Sequence, residues 1–212
     1  MQLNFSENNI NNLLNFSNKL QLKRNKKLPK IIIIFDDNDF TKHRLKFIKI
    51  PRNSAILFRS YNVKNRKKLA LEVFRFCRAK GLKFFLAGDI KLAKSMNVDG
   101  IHLPEYMFYS KGVLNWKTVK MLKNKLNWVI TVAAHNKKTL VNSFRCGIDA
   151  AILSPIFPTK SHFDEKLLGI TKLIKWTNES RIPIYALGGI NLNTVQYLKN
   201  SGITGFAFQR GY

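Results

Sequence analysis

Two polar turns are where this chain is first equipped to do chemistry. Residues 149–162 read DAAILSPIFPTKSH, an apolar run ending in a loop with Pro155, Pro158, Thr159, Ser161 and His162. Residues 183–190 read PIYALGGI and close on Gly188-Gly189. Glycines at such a point let the backbone approach an anion closely and aim N–H groups at it. The hydroxyls of Thr159 and Ser161 suit a phosphate or a heterocycle, and His162 adds a donor. The same residues would also build a tight turn and a proline-stiffened surface loop. The ligand this pairing suggests is a small phosphorylated molecule.

Other side chains extend the set. His135 closes VITVAAH, and among the four histidines it alone directly follows the polar end of an apolar run. Imidazole titrates near neutrality, so a histidine there suits proton transfer; the alternative is a cap on the next helix. Arg59 ends AILFR, where a guanidinium could clamp an anion. Asp89 follows FLAG and could hold Mg2+ or orient a base. His102 and Glu105 lie in DGIHLPE, with His102 read as an inward-facing structural residue. Phe208-Gln209-Arg210 closes the last apolar run. Only twelve acids are present, so their placement is informative. Asp36, Asp37, Asp89 and Glu105 follow apolar runs, whereas Asp99 and Asp149 precede them and suit turns. HExxH, paired Cys/His spacing, GxSxG and the Walker loop are all missing, which argues against a structural zinc site, a hydrolase elbow and a P-loop.

These residues need elements to hold them. Apolar, β-branched runs predict strands at Ile31–Phe35, Ala55–Arg59, Lys83–Ala87, Gly100–Leu103, Trp128–Val132, Ala150–Leu153, Ile184–Leu187 and Gly205–Phe208. Helices are predicted at Lys64–Lys80, Ile90–Met96, Trp116–Leu126, Lys137–Cys146, Thr171–Asn178 and Asn193–Lys199. Gly81, Gly147 and Gly202 stand where helices should stop, and Asn191 is placed to cap one. Strand–helix alternation of this length predicts an α/β fold, a (β/α)8 barrel with a parallel sheet. A doubly wound open sheet is the competitor, disfavoured by the absence of a Gly-rich first turn. The domain expected is 31–212, with the eighth helix truncated. An amphipathic segment, Asn9–Leu22, lies in a helical extension over residues 1–30 that would pack on the barrel. In a barrel every candidate above falls at the carboxyl ends of strands, the face where such folds bind ligands.

Composition narrows the classes. A chain of 212 residues suits one domain with a sizeable core. Its longest pure apolar run, Ile31–Phe35, is too short to span a bilayer, and the N-terminus lacks a secretory pattern. Cys77 and Cys146 sit in helical segments and read as reduced packing thiols, so a cytoplasmic location is expected. Net charge is +25, from 37 basic and 12 acidic residues. The bases are spread through KLQLKRNKK, KNRKK, KMLKNK and NKK rather than gathered into a motif. That argues for solvated helix faces and attraction of anionic metabolites over nucleic-acid binding. Nothing in the chain specifies an oligomeric state.

The segments AILFR, FLAGDIKLA, VDGIHLPE, AAH, GIDAAILSPIFPTKS and PIYALGGIN resemble the thiamine phosphate synthase family and its relative, the thiazole tautomerase of thiamine biosynthesis. The resemblance runs from about Ile31 to Arg210 and also implies a (β/α)8 barrel. It implies a thiazole phosphate held by Gly188, Gly189, Gln209 and Arg210, with Thr159 and Ser161 nearby. The synthase, a transferase, also binds a pyrimidine diphosphate and needs Mg2+ held by two aspartates. The tautomerase, an isomerase, needs neither. It shifts a proton on a carboxylated thiazole phosphate, a step the resemblance assigns to His135.

This chain departs from the synthase pattern on the diphosphate side. Arg59 is kept, but Tyr61 replaces a base, Gly88-Asp89 replaces an Asn-Asp pair, and the second metal aspartate is expected near Met107. Ala133 replaces a serine, and His162 replaces a lysine. Tautomerase-type chemistry without a cofactor is therefore the leading expectation, with Arg59, Asp89 and His162 lining the second-substrate side. The true synthase with Mg2+ on Asp89 follows it. A non-catalytic phosphate-ligand or nucleic-acid-binding barrel is the rival of another class.

Overall fold

The computed structural model of the chain describes residues 12–13, 15–16, 27–36, 50–109, 116–159 and 167–209. Eight parallel strands close into a barrel in sequence order. They are β1 (Ile31–Phe35), β2 (Ser54–Phe58), β3 (Lys83–Ala87), β4 (Gly100–Leu103), β5 (Val129–Ala134), β6 (Ala150–Leu153), β7 (Ile184–Ala186) and β8 (Gly205–Phe208). Ile31 stands opposite Ser54 of β2 on one side and Phe206 of β8 on the other, which closes the ring. The helices between them are α1 (Arg66–Lys80), α2 (Ile90–Met96), α3 (Glu105–Tyr109), α4 (Trp116–Leu126), α5 (Lys137–Cys146) and α6 (Gly169–Glu179). The expected (β/α)8 barrel is the fold.

The unbroken apolar strands are explained by burial on both faces. Ile31, Ile33 and Phe35 pack in the layer beneath the helices with Ala70 and Val73 of α1. Ile32 and Ile34 alternate with them and pack in the barrel interior with Leu57, Phe85, Ile152 and Tyr185. The rings of Phe85 and Tyr185 leave no room for a side chain at two strand starts. A Cβ on Gly100 would lie 2.8 Å from Phe85 Cδ1, and one on Gly205 would lie 2.6 Å from Tyr185 Cε1. The Tyr185 hydroxyl donates to Pro29 O at 2.5 Å, so the interior ring meets its polar need at the amino end of β1. Asp99 and Asp149 act at that same end, accepting from Phe84 N and Ile130 N at 2.8 Å each. They are structural, as their place before strands suggests.

Five of the eight strand ranges match the predicted ones residue for residue. β2 starts one residue earlier, so Arg59 lies just beyond it, with its N–H donating to Phe35 O at 2.8 Å. β5 runs on to Ala134, whose carbonyl accepts from Ser154 N at 3.1 Å. The predicted helix Asn193–Lys199 is corrected to a 3-10 turn, Val195–Leu198. Asn191 Oδ1 accepts from Asn193 N and Thr194 N at 2.9 and 3.2 Å, and Asn200 turns the chain out at φ 61°, leaving no length for an α-helix. Helix α3 was not predicted, because five residues hold too little of a helical period to register.

Residues 12–13 and 15–16 are helical, and Leu13 is fully buried in the cluster that holds Ile31 and Phe206. We propose that residues 1–30 form an extension packing on the barrel. The truncated eighth helix would involve residues 210–212, outside the described residues. Among the described residues no helix is long and apolar enough to cross a membrane. Burial pushes the Cys77 thiol up to about 12, and neither cysteine is in a disulfide.

Candidate active site

The chain leaves β5 at His135 and turns at once into α5. Asn136 makes the turn: its side chain accepts from Thr139 N at 2.9 Å and caps the helix. His135 is thereby left exposed at the barrel mouth. Its Nδ1 lies 2.9 Å from the carbonyl oxygen of Ser154, just beyond β6. A carbonyl only accepts, so Nδ1 carries the proton. In the neutral ring Nε2 then carries the lone pair.

The ring borders a cleft of about 690 Å3 that also takes in Arg59, Tyr61, His102, Glu105 and Tyr106. His102 is 5% exposed, with Nδ1 3.0 Å from Thr131 Oγ1. Burial first, and the nearby Arg59 charge second, pull its pKa down to about 3. It is a neutral polar wall, in keeping with its structural reading. The Arg59 guanidinium donates to Gln209 Oε1 at 3.0 Å, joining the ends of β2 and β8. Asp36, beyond β1, borders the same cleft.

The next sector, at β3, is closed on itself. Asp89 Oδ1 caps α2 by accepting from Leu92 N at 2.9 Å, and Oδ2 pairs with Arg66 Nη1 at 3.3 Å. Arg66 also donates to Ser60 O at 2.7 Å and Ala87 O at 2.6 Å. Its guanidinium lies 5.7 Å from the Phe58 ring centroid and 5.5 Å from that of Tyr61. Tyr61 in turn covers Gly88, where a Cβ would come within 3.0 Å of its Cε1. Burial, then the neighbouring Tyr106, raises the Tyr61 pKa.

The opposite sector is built from backbone. Gly188 and Gly189 have φ of 102° and 63° and lie against the loop after β6. A Cβ on Gly189 would meet Pro158 O at 2.4 Å, and one on Gly188 would meet Pro155 Cα at 2.9 Å. The glycines therefore serve close packing of two loops as well as a turn. Their carbonyls are used, Gly188 O by Phe157 N at 3.1 Å and Gly189 O by Thr194 Oγ1 at 2.7 Å. Among the described residues neither glycine N–H has a hydrogen-bond partner. Thr159 Oγ1 is buried and likewise unpartnered among them. Such an orphan costs about 1–3 kcal/mol, so it points to a polar ligand atom or water. Ser161, His162, Arg210 and Asp37 lie outside the described residues.

Residues 34–211 match the thiamine monophosphate synthase family. The chain belongs to that family. Thiamine-phosphate synthase of Prochlorococcus marinus subsp. pastoris is 30% identical over 154 residues, 73% of this chain and 42% of that protein. The thiamine-phosphate synthase of Prochlorococcus marinus strain AS9601 is 28% identical over 195 residues, 90% of this chain and 53% of its own. The chain thus spans about half the length of these two relatives. A thiamine phosphate pyrophosphorylase from Pyrococcus furiosus shares the fold, with TM-score 0.61 at 19% identity and 85% of each chain covered.

Within the thiamine monophosphate synthase family the resemblance implies a Mg2+ site at Asp89, and the donor set present does not fit it. Both Asp89 oxygens are committed, one of them to a guanidinium. Met107, near the place where the resemblance implies the second carboxylate, offers Mg2+ no side-chain oxygen. Among the described residues no three His, Cys, Asp or Glu gather to hold a metal. The sequence reading overlooked Arg66, since a base in KNRKK carries no signal of its buried partners. The cover of Gly88 by Tyr61 carries no sequence signal either, because the two are brought together only by the fold.

Proposed function

We propose that this chain is an enzyme of thiamine biosynthesis that binds a thiazole phosphate and moves a proton on it with His135. The observation that carries the proposal is the His135 ring, held through Nδ1 by the Ser154 carbonyl at 2.9 Å beside the cleft. The substrate proposed is a carboxylated thiazole phosphate. Its phosphate takes the N–H groups of Gly188 and Gly189 and the Thr159 hydroxyl, with Ser161 and Arg210 as further proposed contacts. Nε2 accepts a proton from one ring position and returns it to another, so no proton is gained or lost. The imidazolium between the two transfers is stabilised by the Ser154 carbonyl dipole at Nδ1. Arg59, held by Gln209, offers a cation to the substrate's anionic groups. The location proposed is cytoplasmic.

A second reading, a synthase joining a pyrimidine diphosphate to the thiazole phosphate, is favoured by the names of the two Prochlorococcus relatives. Against it stands the commitment of Asp89 to Arg66. The two readings separate when purified protein is given each substrate set, with and without Mg2+. Conversion of the thiazole tautomer without metal supports proton transfer. Mg2+-dependent formation of thiamine phosphate, with no tautomer conversion, overturns it.

A further inference from the structure

We infer that Glu105 is a positioning residue that holds the His135 turn in place, an inference that rests on the proposed acid–base role of His135. Helix α5 begins with Lys137 and Lys138 and has no acid in its first turn. Cations there oppose the positive end of the helix dipole and leave its amino end without a compensating anion. Glu105 supplies that anion from another element. It opens α3, directly beyond β4, and one of its oxygens collects three donors from the turn. Oε1 accepts from His135 N at 3.4 Å, from Asn136 Nδ2 at 3.0 Å, and from Thr139 Oγ1. The Thr139 hydroxyl proton is used by this carboxylate, so Tyr109 OH is the donor in its 2.7 Å contact with Thr139 Oγ1. Both ends of α3 are thereby fastened to the first turn of α5. Ser154 fixes the ring of His135, and Glu105 fixes the backbone that carries it.

The separation of these two anchors gives the inference its test. A reacting group displaced by about 1 Å can lose on the order of 100-fold in rate. Glu105→Ala removes the acceptor; Glu105→Gln keeps an oxygen that accepts; Thr139→Val removes one donor with little change of shape. With the carboxylated thiazole phosphate as probe, at a temperature where each variant is folded by circular dichroism, Glu105→Ala should lower kcat about 10–100-fold with KM within about threefold. Glu105→Gln should recover kcat to within about fivefold of the parent, and Thr139→Val should fall between them. Amide exchange at His135, followed by NMR, should rise about tenfold or more in Glu105→Ala and stay near the parent rate in Glu105→Gln. An unchanged kcat and unchanged exchange in Glu105→Ala overturns the inference. So does an equal rise of KM in the Ala and Gln variants, which would make Glu105 a substrate contact. His135→Ala with full activity removes the proposed reaction instead, and the exchange measurement still decides whether Glu105 holds the turn.

Discussion

The two sides of the barrel mouth handle their polar groups in opposite ways. At β6 and β7 the chain leaves donors open: the N–H groups of Gly188 and Gly189 and the buried Thr159 hydroxyl have no partner among the described residues. At β2 and β3 the charged groups satisfy one another. The Arg66 side chain, 17% exposed, is spent on Asp89, two carbonyls and two rings. Open donors suit an incoming anion, whereas a closed ion pair must be broken before either partner can serve a ligand or a metal. The contrast teaches that a retained acidic residue is not by itself a retained metal site. Asp89 is present, and its partners decide its use.

The comparison breaks most visibly at His135, between the two sides. His135→Ala should lower tautomer turnover about 100- to 10,000-fold while thiazole-phosphate affinity, measured by calorimetry, changes less than about threefold. Equal losses in both would move His135 from chemistry to binding. Next in size is Gly189→Ala, which sets a Cβ against Pro158 O at a φ of 63°. It should cost about 1–3 kcal/mol in urea unfolding and weaken thiazole phosphate about tenfold or more. Thr159→Val should weaken the same ligand about three- to tenfold with stability unchanged or slightly raised, because it removes an orphan hydroxyl.

On the closed side the expected effects are smaller. Asp89→Asn keeps a capping oxygen for Leu92 N and should leave tautomer turnover within about threefold, with chelator causing no loss. A chelator-sensitive activity abolished by this variant would restore the metal site. The pH dependence sharpens the role of His102. Its pKa falls from 6.5 to about 3 on folding, so the unfolded chain holds one more proton between those values. The stability contributed by neutral His102 is complete above about pH 6.5 and is lost as pH falls towards 3. Unfolding measured at pH 6, 5 and 4 should show the parent losing stability more steeply than His102→Gln, by on the order of 1 kcal/mol per pH unit.

Much of the fold was legible because burial on both faces leaves a clear trace. Runs such as Ile31–Phe35 and Ala150–Leu153, separated by helical spacing, imply parallel strands covered on each side. The stops at Gly81 and Gly147 were equally plain, since both carry the left-handed φ, 64° and 76°, at a helix end. Helix α3 and the 3-10 turn were not legible, being too short for periodicity to outvote local hydrogen bonding. In the site, His135 stood out by position alone. The reach of Glu105 across to Thr139, 34 residues away, did not, because no local pattern encodes it.

By itself, then, the sequence determined which residue types reach the barrel mouth: strand order places the end of every strand on one face, so Arg59, His135 and Gly188-Gly189 had to gather there. Tertiary structure alone decided which partners the residues at the mouth meet. Asp89 became a cap and a counter-ion because α1 brings Arg66 beside it, His102 became a wall that is neutral above about pH 3 because it is buried near Arg59, and the His135 ring is oriented by the Ser154 carbonyl at its Nδ1. Hydrogen bonding and desolvation act over a few ångströms between residues distant in sequence, and only folding sets those distances.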